Sequence, residues 1–212
     1  MSDVKLPRIA LTVGDPAGIG PEIAAKAARD PRVLEACEPI VYDTPRGLTI
    51  VPGTLSADAG RAAYDIVVRA TTDAMIGRVD AVTTAPVNKE AFALAGLPWR
   101  GHTDLLGHLT GSPATAMMFD APGLRVVLAT VHIPLSEVPA ALTPDRLTTI
   151  IRLTAQALPR FGCATPRIAV AGLNPHAGEH GLMGREDEDV IRPSVTACRS
   201  DGIDVDGPFA AD

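Results

Sequence analysis

Hydrophobic positions in this chain come in short runs, each closed by turn-forming residues. RIALTV (residues 8–13), PIVYD (39–43), VDAVTTAP (79–86) and RIAVAGLN (167–174) all read as β-strands. TAMMFDAPGLRVVLATVH (115–132) reads as a hairpin of two apolar strands turning at Ala121, Pro122 and Gly123. Between these runs the period changes to that of a helix. Ser56 is placed to cap a helix running to Gly77, with Ala63, Ile66, Val67, Ala70 and Ala74 on one face. Thr143 caps another, with Pro144 in its first turn and an apolar stripe of Leu147, Ile150, Ile151, Thr154 and Leu158. EIAAKAARD (22–30) and the stretch from Asn88 to about Ala95 are shorter helices. REDEDV (185–190) suits a helix N-terminus, where acids complement the dipole. Pro193 either kinks that helix or starts a second one.

Strands therefore alternate with helices, and most strands are continuous apolar runs. This predicts an α/β fold, with a mainly parallel sheet covered on both faces and one antiparallel excursion over 118–132.

Composition narrows the picture. The 212 residues are 46% hydrophobic but only 3% aromatic, so the core is built from Ala, Val, Leu and Ile. Net charge is −6, which offers no basic footprint for a nucleic acid. No apolar run is long enough for a signal peptide or a membrane span, so neither a membrane nor a nucleic acid is an expected partner. Cys37, Cys163 and Cys198 are isolated and odd in number, as expected for inert thiols in the cytoplasm.

Candidate chemistry lies where such sheets bind ligands, beyond the carboxyl ends of their strands. His132 and His176 both fall at predicted strand ends beside a proline. A single such histidine is ordinarily a structural one, but two make a divalent-metal site worth considering, because neutral imidazole is a common metal ligand. Lys89 opens a helix after a strand and could hold a phosphate or carboxylate as a point charge. WRGHTDLL (99–106) adds His102 and Thr103. Gly14, Gly18 and Gly20, with Asp43 further on, imitate a dinucleotide fingerprint. Their spacing is Gly-x-x-x-Gly-x-Gly, however, and a tight strand-to-helix turn with Pro21 at the helix start accounts for it. Glu186, Asp187 and Glu188 read as a solvated helix start. Ser136 lacks the surroundings of a nucleophilic serine.

Five motifs, TVGDPAGIGPEI, TTAPVNKEAFALAG, GHTDLLGHLTG, RVVLATVHIPL and IAVAGLNPHAGEHGLMGREDED, run in one order over most of the chain. Together they resemble the 4-hydroxythreonine-4-phosphate dehydrogenase family of vitamin B6 and pyridoxal phosphate biosynthesis. The resemblance implies a two-lobed α/β/α sandwich like that of isocitrate and isopropylmalate dehydrogenases. The lobes would cover 1–100 and 101–212, both incomplete, with a cleft between them. It implies NAD-dependent (or NADP-dependent) oxidation of 4-hydroxythreonine 4-phosphate, then decarboxylation to 3-amino-2-oxopropyl phosphate, in a cytoplasmic homodimer. A divalent metal (zinc, magnesium or cobalt) is held in the family by three histidines, two of which match His132 and His176. His102 and Thr103 match its substrate-contacting pair, and Lys89 is grouped with them as substrate-binding.

The chain departs from the pattern in ending at DGPFAAD, where a C-terminal segment with the third histidine is expected; neither His108 nor His180 replaces it by motif. The loop between Asp43 and Ser56 is also shorter than in the family. Two alternatives stay open: a dehydrogenase of threonate phosphate or of an aromatic cis-diol, and a shortened, non-catalytic relative.

Overall fold

A computed structural model describes residues 5–45 and 47–212. The chain divides at Pro113/Ala114 into two compact units.

The first unit is built on a three-stranded parallel sheet of order β2-β1-β3, from β1 (Arg8–Thr12), β2 (Glu38–Tyr42) and β3 (Ala81–Thr84). Helices α1 (Gly20–Ala27) and α2 (Pro31–Ala36) connect β1 to β2. The second of these was not anticipated; Asp30 caps it by accepting the Arg32 amide at 2.9 Å. The long helix α3 (Ala57–Met75) begins where the pattern places it, with the Ser56 hydroxyl accepting the Ala59 amide at 3.1 Å. Most of its predicted face is buried: Ala70 packs with Ala10 of β1, Ile66 with Val13 just beyond that strand, and Ala63 and Val67 in a separate cluster, while Ala74 is partly buried. After β3 come α4 (Lys89–Leu94), capped by Asn88, and α5 (His102–Leu109).

Phe92 of α4 and Leu105 of α5 are fully buried in one cluster with Ala63 and Val67 of α3, and Trp99 packs on it. This packing moves the boundary between the units. The expected division after Arg100 would separate Leu105 from the cluster that buries it; the observed one keeps α5 with the first unit. Glycine permits the close approach of α3 to α4, because a Cβ on Gly60 would lie 2.0 Å from the Ala91 carbonyl oxygen.

The second unit begins with the predicted hairpin, β4 (Met117–Ala121) and β5 (Leu124–Leu128), antiparallel with Phe119 opposite Val126. A short helix α6 (Val138–Ala141) precedes α7 (Pro144–Ala157), where Thr143 accepts the Arg146 amide and buries Leu147, Ile150 and Ile151 as the stripe predicts. Strand β6 (Ile168–Ala171) pairs in parallel with β7 (Val205–Phe209), a strand its internal Gly-Pro concealed. A wide π-type turn, Asp187–Ile191, runs directly into α8 (Arg192–Ser200), whose first turn contains Pro193. Leu147 and Ile151 of α7 meet Val195 and Cys198 of α8 and Val205 of β7 in one core.

The fold class is α/β, but one continuous covered sheet is not what these residues form. The described residues form three sheets, two parallel and one antiparallel. Among the described residues β5 pairs with β4 alone and β6 with β7 alone. Consecutive residues of β5 and β6, 124–128 and 168–171, line a mostly apolar cavity of about 1230 Å³ floored by α7. Consecutive rather than alternate lining means that strand edges face it. Burial along β3 and β6 alternates, so neither strand is covered on both faces. Among the described residues no helix is long and apolar enough to cross a membrane.

Candidate active site

In the first unit, Thr12 and Thr84 are register partners at the ends of β1 and β3, so the loops that follow leave side by side. The Asp15 amide donates to the Pro86 carbonyl at 2.9 Å, and the Ala85 amide to that of Thr12 at 3.0 Å. The glycine loop is packed for its own chain. A Cβ on Gly14 (φ +63°) would lie 2.3 Å from the Pro86 oxygen, and one on Gly20 1.7 Å from the Val13 oxygen. These glycines are filled by protein backbone, so they do not form a dinucleotide cradle.

Lys89 is exposed at the first turn of α4, three residues before the buried Phe92. His102 opens α5, three residues before the buried Leu105. Lys89 and His102 therefore each sit one turn ahead of an anchor in the same core cluster. The loop into α5 is fixed by Asp104, whose carboxylate accepts the amides of Arg100 at 2.5 Å and Gly101 at 2.9 Å. Thr103 follows, half-buried. Burial pushes the pKa of His102 below its ordinary value, with Asp104 opposing. Its Nε2 is shielded from solvent and has no hydrogen-bond partner among the described residues; the Thr12 hydroxyl is in the same condition. An orphaned buried donor or acceptor costs about 1–3 kcal/mol, a cost that a polar ligand would remove.

The second unit holds His132 and His176. Both are exposed, and both adopt the left-handed backbone region, at φ 55° and 53°. His132 follows β5 and His176 follows β6. The His176 Nδ1 lies 2.7 Å from Asp212 Oδ2, and its amide donates to Asp212 Oδ1 at 3.1 Å. The amide bond is the main reason the Asp212 carboxyl is held below the usual range. A carboxylate on Nδ1 is how metal-binding imidazoles are commonly oriented, leaving Nε2 for the ligand. Imidazole is a donor of the kind divalent ions take, but among the described residues only His176 is oriented in this way. No three His, Cys, Asp or Glu side chains come together as a metal cluster among the described residues. None of the five candidate residues lines the apolar cavity described above.

The acidic triplet is not a solvated helix start. Asp187 is 0% exposed. Its position was legible: Asp187, Ile191, Ser194, Val195 and Cys198 share the buried face of one helical run. Asp104 and Asp212 were also missed as site-forming residues. Asp104 had a signal, because an acid three residues after Gly101 is the N3 position of a cap.

The family profile described as "Pyridoxal phosphate biosynthetic protein PdxA" matches residues 13–212. The chain belongs to the PdxA family. It is 39% identical to the 4-hydroxythreonine-4-phosphate dehydrogenase of Desulforapulum autotrophicum, over 97% of this chain and 73% of that protein. It is 38% identical to the D-threonate 4-phosphate dehydrogenase of Cupriavidus necator, over 100% and 75%. Among solved structures, the 4-hydroxythreonine-4-phosphate dehydrogenase of Klebsiella pneumoniae superposes with a TM-score of 0.87 at 37% identity, over 96% of this chain and 75% of that one. These PdxA relatives are dehydrogenases, so the chain is of an oxidoreductase family with an α/β fold.

Proposed function

We propose that this PdxA-family chain oxidises a small phosphorylated hydroxy acid, 4-hydroxythreonine 4-phosphate, with NAD or NADP as hydride acceptor. The secondary alcohol loses a hydride from carbon and a proton from oxygen. The resulting 3-oxo acid breaks its bond to the carboxyl carbon, releases carbon dioxide and takes up a proton to give 3-amino-2-oxopropyl phosphate. The observation that carries this reading is His102. It is a half-buried imidazole with a depressed pKa and an orphaned Nε2, in a chain 38–39% identical to relatives named as dehydrogenases of 4-hydroxythreonine 4-phosphate and D-threonate 4-phosphate.

Substrate binding is assigned to His102, Thr103 and Lys89. The neutral imidazole and the threonine hydroxyl supply directional hydrogen bonds, and the lysine supplies charge for the phosphate. His132 and His176 are assigned to a divalent ion, with Asp212 fixing the ring of His176. When bound, zinc, magnesium or cobalt would supply Lewis acidity at the substrate oxygen. The working assembly is proposed as a homodimer. Exposed apolar side chains of the second unit, such as Leu135 at 85% and Leu182 at 77%, are in keeping with association of copies.

A second reading has D-threonate 4-phosphate as the substrate, favoured by the Cupriavidus relative that matches the whole chain. The test compares kcat/KM for both phosphorylated acids, and for their dephosphorylated forms, in wild type and His102→Ala. Losing one hydrogen bond to a charged group costs about 1.5–3 kcal/mol, so kcat/KM should fall roughly 10- to 100-fold for the true substrate. Equal rates with and without the phosphate, or an unaffected His102→Ala enzyme, would remove these residues from the site.

A further inference from the structure

His176 belongs to a run of five residues, His176–His180, all in the left-handed region with φ between 42° and 80°. Only Gly178 among them lacks a Cβ, so this conformation is intrinsically disfavoured and persists only where its surroundings impose it. Hydrogen bonds within the turn close it locally: Ala177 amide to Asn174 carbonyl at 3.1 Å, and Met183 amide to Gly178 carbonyl at 3.1 Å. Beside the Asp212 contact at the His176 amide, the two residues just before it, Leu173 and Asn174, give their amides to a fully buried side chain.

That side chain is Asp187. Its carboxylate accepts the Leu173 amide at 2.8 Å, the Asn174 amide at 3.1 Å and the Asn174 Nδ2 at 2.9 Å. It is fully buried and forms no ion pair among the described residues. A buried carboxylate without a cation needs hydrogen-bond donors, and here the His176 loop supplies them. Glycines stand where the carboxylate meets the chain: a Cβ on Gly172 would be 2.8 Å from Oδ1, and one on Gly178 3.3 Å from Oδ2. Asn174 carries the contact onward, donating also to Glu186 Oε2 at 2.8 Å.

We propose that Asp187 is the positioning residue for His176. It fixes the residues that enter the left-handed turn, and the turn sets the ring of His176 against Asp212. Asp187 touches no substrate in this role and acts only through the loop. It would hold this conformation whatever reaction the chain performs, so the readouts need no turnover.

The experiment compares Asp187→Asn with Ile150→Val, a buried change in the same unit outside the cluster on which Leu173 packs. Asparagine keeps the shape but places an amide against backbone donors. Nuclear magnetic resonance follows the His176 ring signals and the exchange of the Leu173 and Asn174 amides. In Asp187→Asn those amides should exchange about tenfold faster than wild type or more, the equivalent of losing one ordinary hydrogen bond. The His176 ring signals should shift as its contact with Asp212 loosens. Ile150→Val should leave both unchanged. His176 signals and loop protection identical to wild type in Asp187→Asn would overturn the assignment. If Asp187→Asn does not fold, Asn174→Ala removes the side-chain donor alone. It should accelerate the Leu173 amide and shift His176, and an unchanged loop in that variant would overturn the assignment equally.

Discussion

Gly172→Ala places a methyl group against the structure that holds His176. The added Cβ would lie 2.8 Å from Asp187 Oδ1, 3.0 Å from the Ala177 Cα and 3.1 Å from the Ala177 Cβ. Two effects oppose each other. Gly172 does not occupy a positive-φ conformation, so alanine would ordinarily stabilise by about 0.4–1 kcal/mol through the unfolded chain. Against this stands overpacking of about 1–3 kcal/mol. The neighbours cannot yield freely, because one is a carboxylate pinned by three donors and the other is backbone of a left-handed turn. The cheapest relaxation moves Oδ1 and lengthens its bond to the Leu173 amide, losing part of a charged hydrogen bond worth about 1.5–3 kcal/mol. Overpacking therefore wins, with a net loss of roughly 1–3 kcal/mol. The assay is exchange of the Leu173 and Asn174 amides, beside thermal unfolding followed by circular dichroism. Gly101→Ala is the control, since its Cβ would meet nothing within 4 Å. It should change stability by no more than about 1 kcal/mol in either direction. A Gly172→Ala protein as stable as wild type, with the Leu173 amide fully protected, would show that the loop is not clamped as described.

Phe92→Ala should destabilise the first unit by about 3–5 kcal/mol, because Phe92 is fully buried among Ala63, Val67 and Leu105; urea unfolding followed by Trp99 fluorescence, from the one tryptophan in the chain, reads this directly, and a loss under about 1 kcal/mol would contradict the packing. Acid should weaken wild type more than His102→Gln. Burial lowers the pKa of folded His102, so in acid the unfolded chain binds a proton that the folded one resists. That contribution is intact above the ordinary pKa of about 6.5 and is lost as pH falls below it. Parallel urea midpoints for the two proteins from pH 7.5 to pH 5 would contradict it.

How much of this was legible in the sequence depended on how local the cause was. The caps at Ser56 and Thr143 announce their helices, because the side chain and the amide it accepts lie within three residues. The hairpin at Ala121–Gly123 is equally local. Strand β7 was hidden because Gly207 and Pro208 are poor strand formers, and its place is fixed by β6 and α8, distant in sequence. Asp187 was misread because acids beside it at 186 and 188 suggested a solvated face, while the period of 187, 191, 195 and 198 placed it inside. The His176–Asp212 contact spans 36 residues and leaves no periodic trace. The separation into three sheets is a tertiary outcome that continuous apolar runs do not specify.

The most direct test of the central claim is the stoichiometry of a single incubation. The protein, 4-hydroxythreonine 4-phosphate labelled at its carboxyl carbon, NAD and a divalent ion are mixed, and NADH and labelled carbon dioxide are measured together. Oxidation followed by decarboxylation predicts the two in equal amounts, with 3-amino-2-oxopropyl phosphate as the remaining product. Neither NADH nor labelled carbon dioxide, from a sample whose Trp99 fluorescence and circular dichroism show it folded, would contradict the assignment of this reaction to the chain.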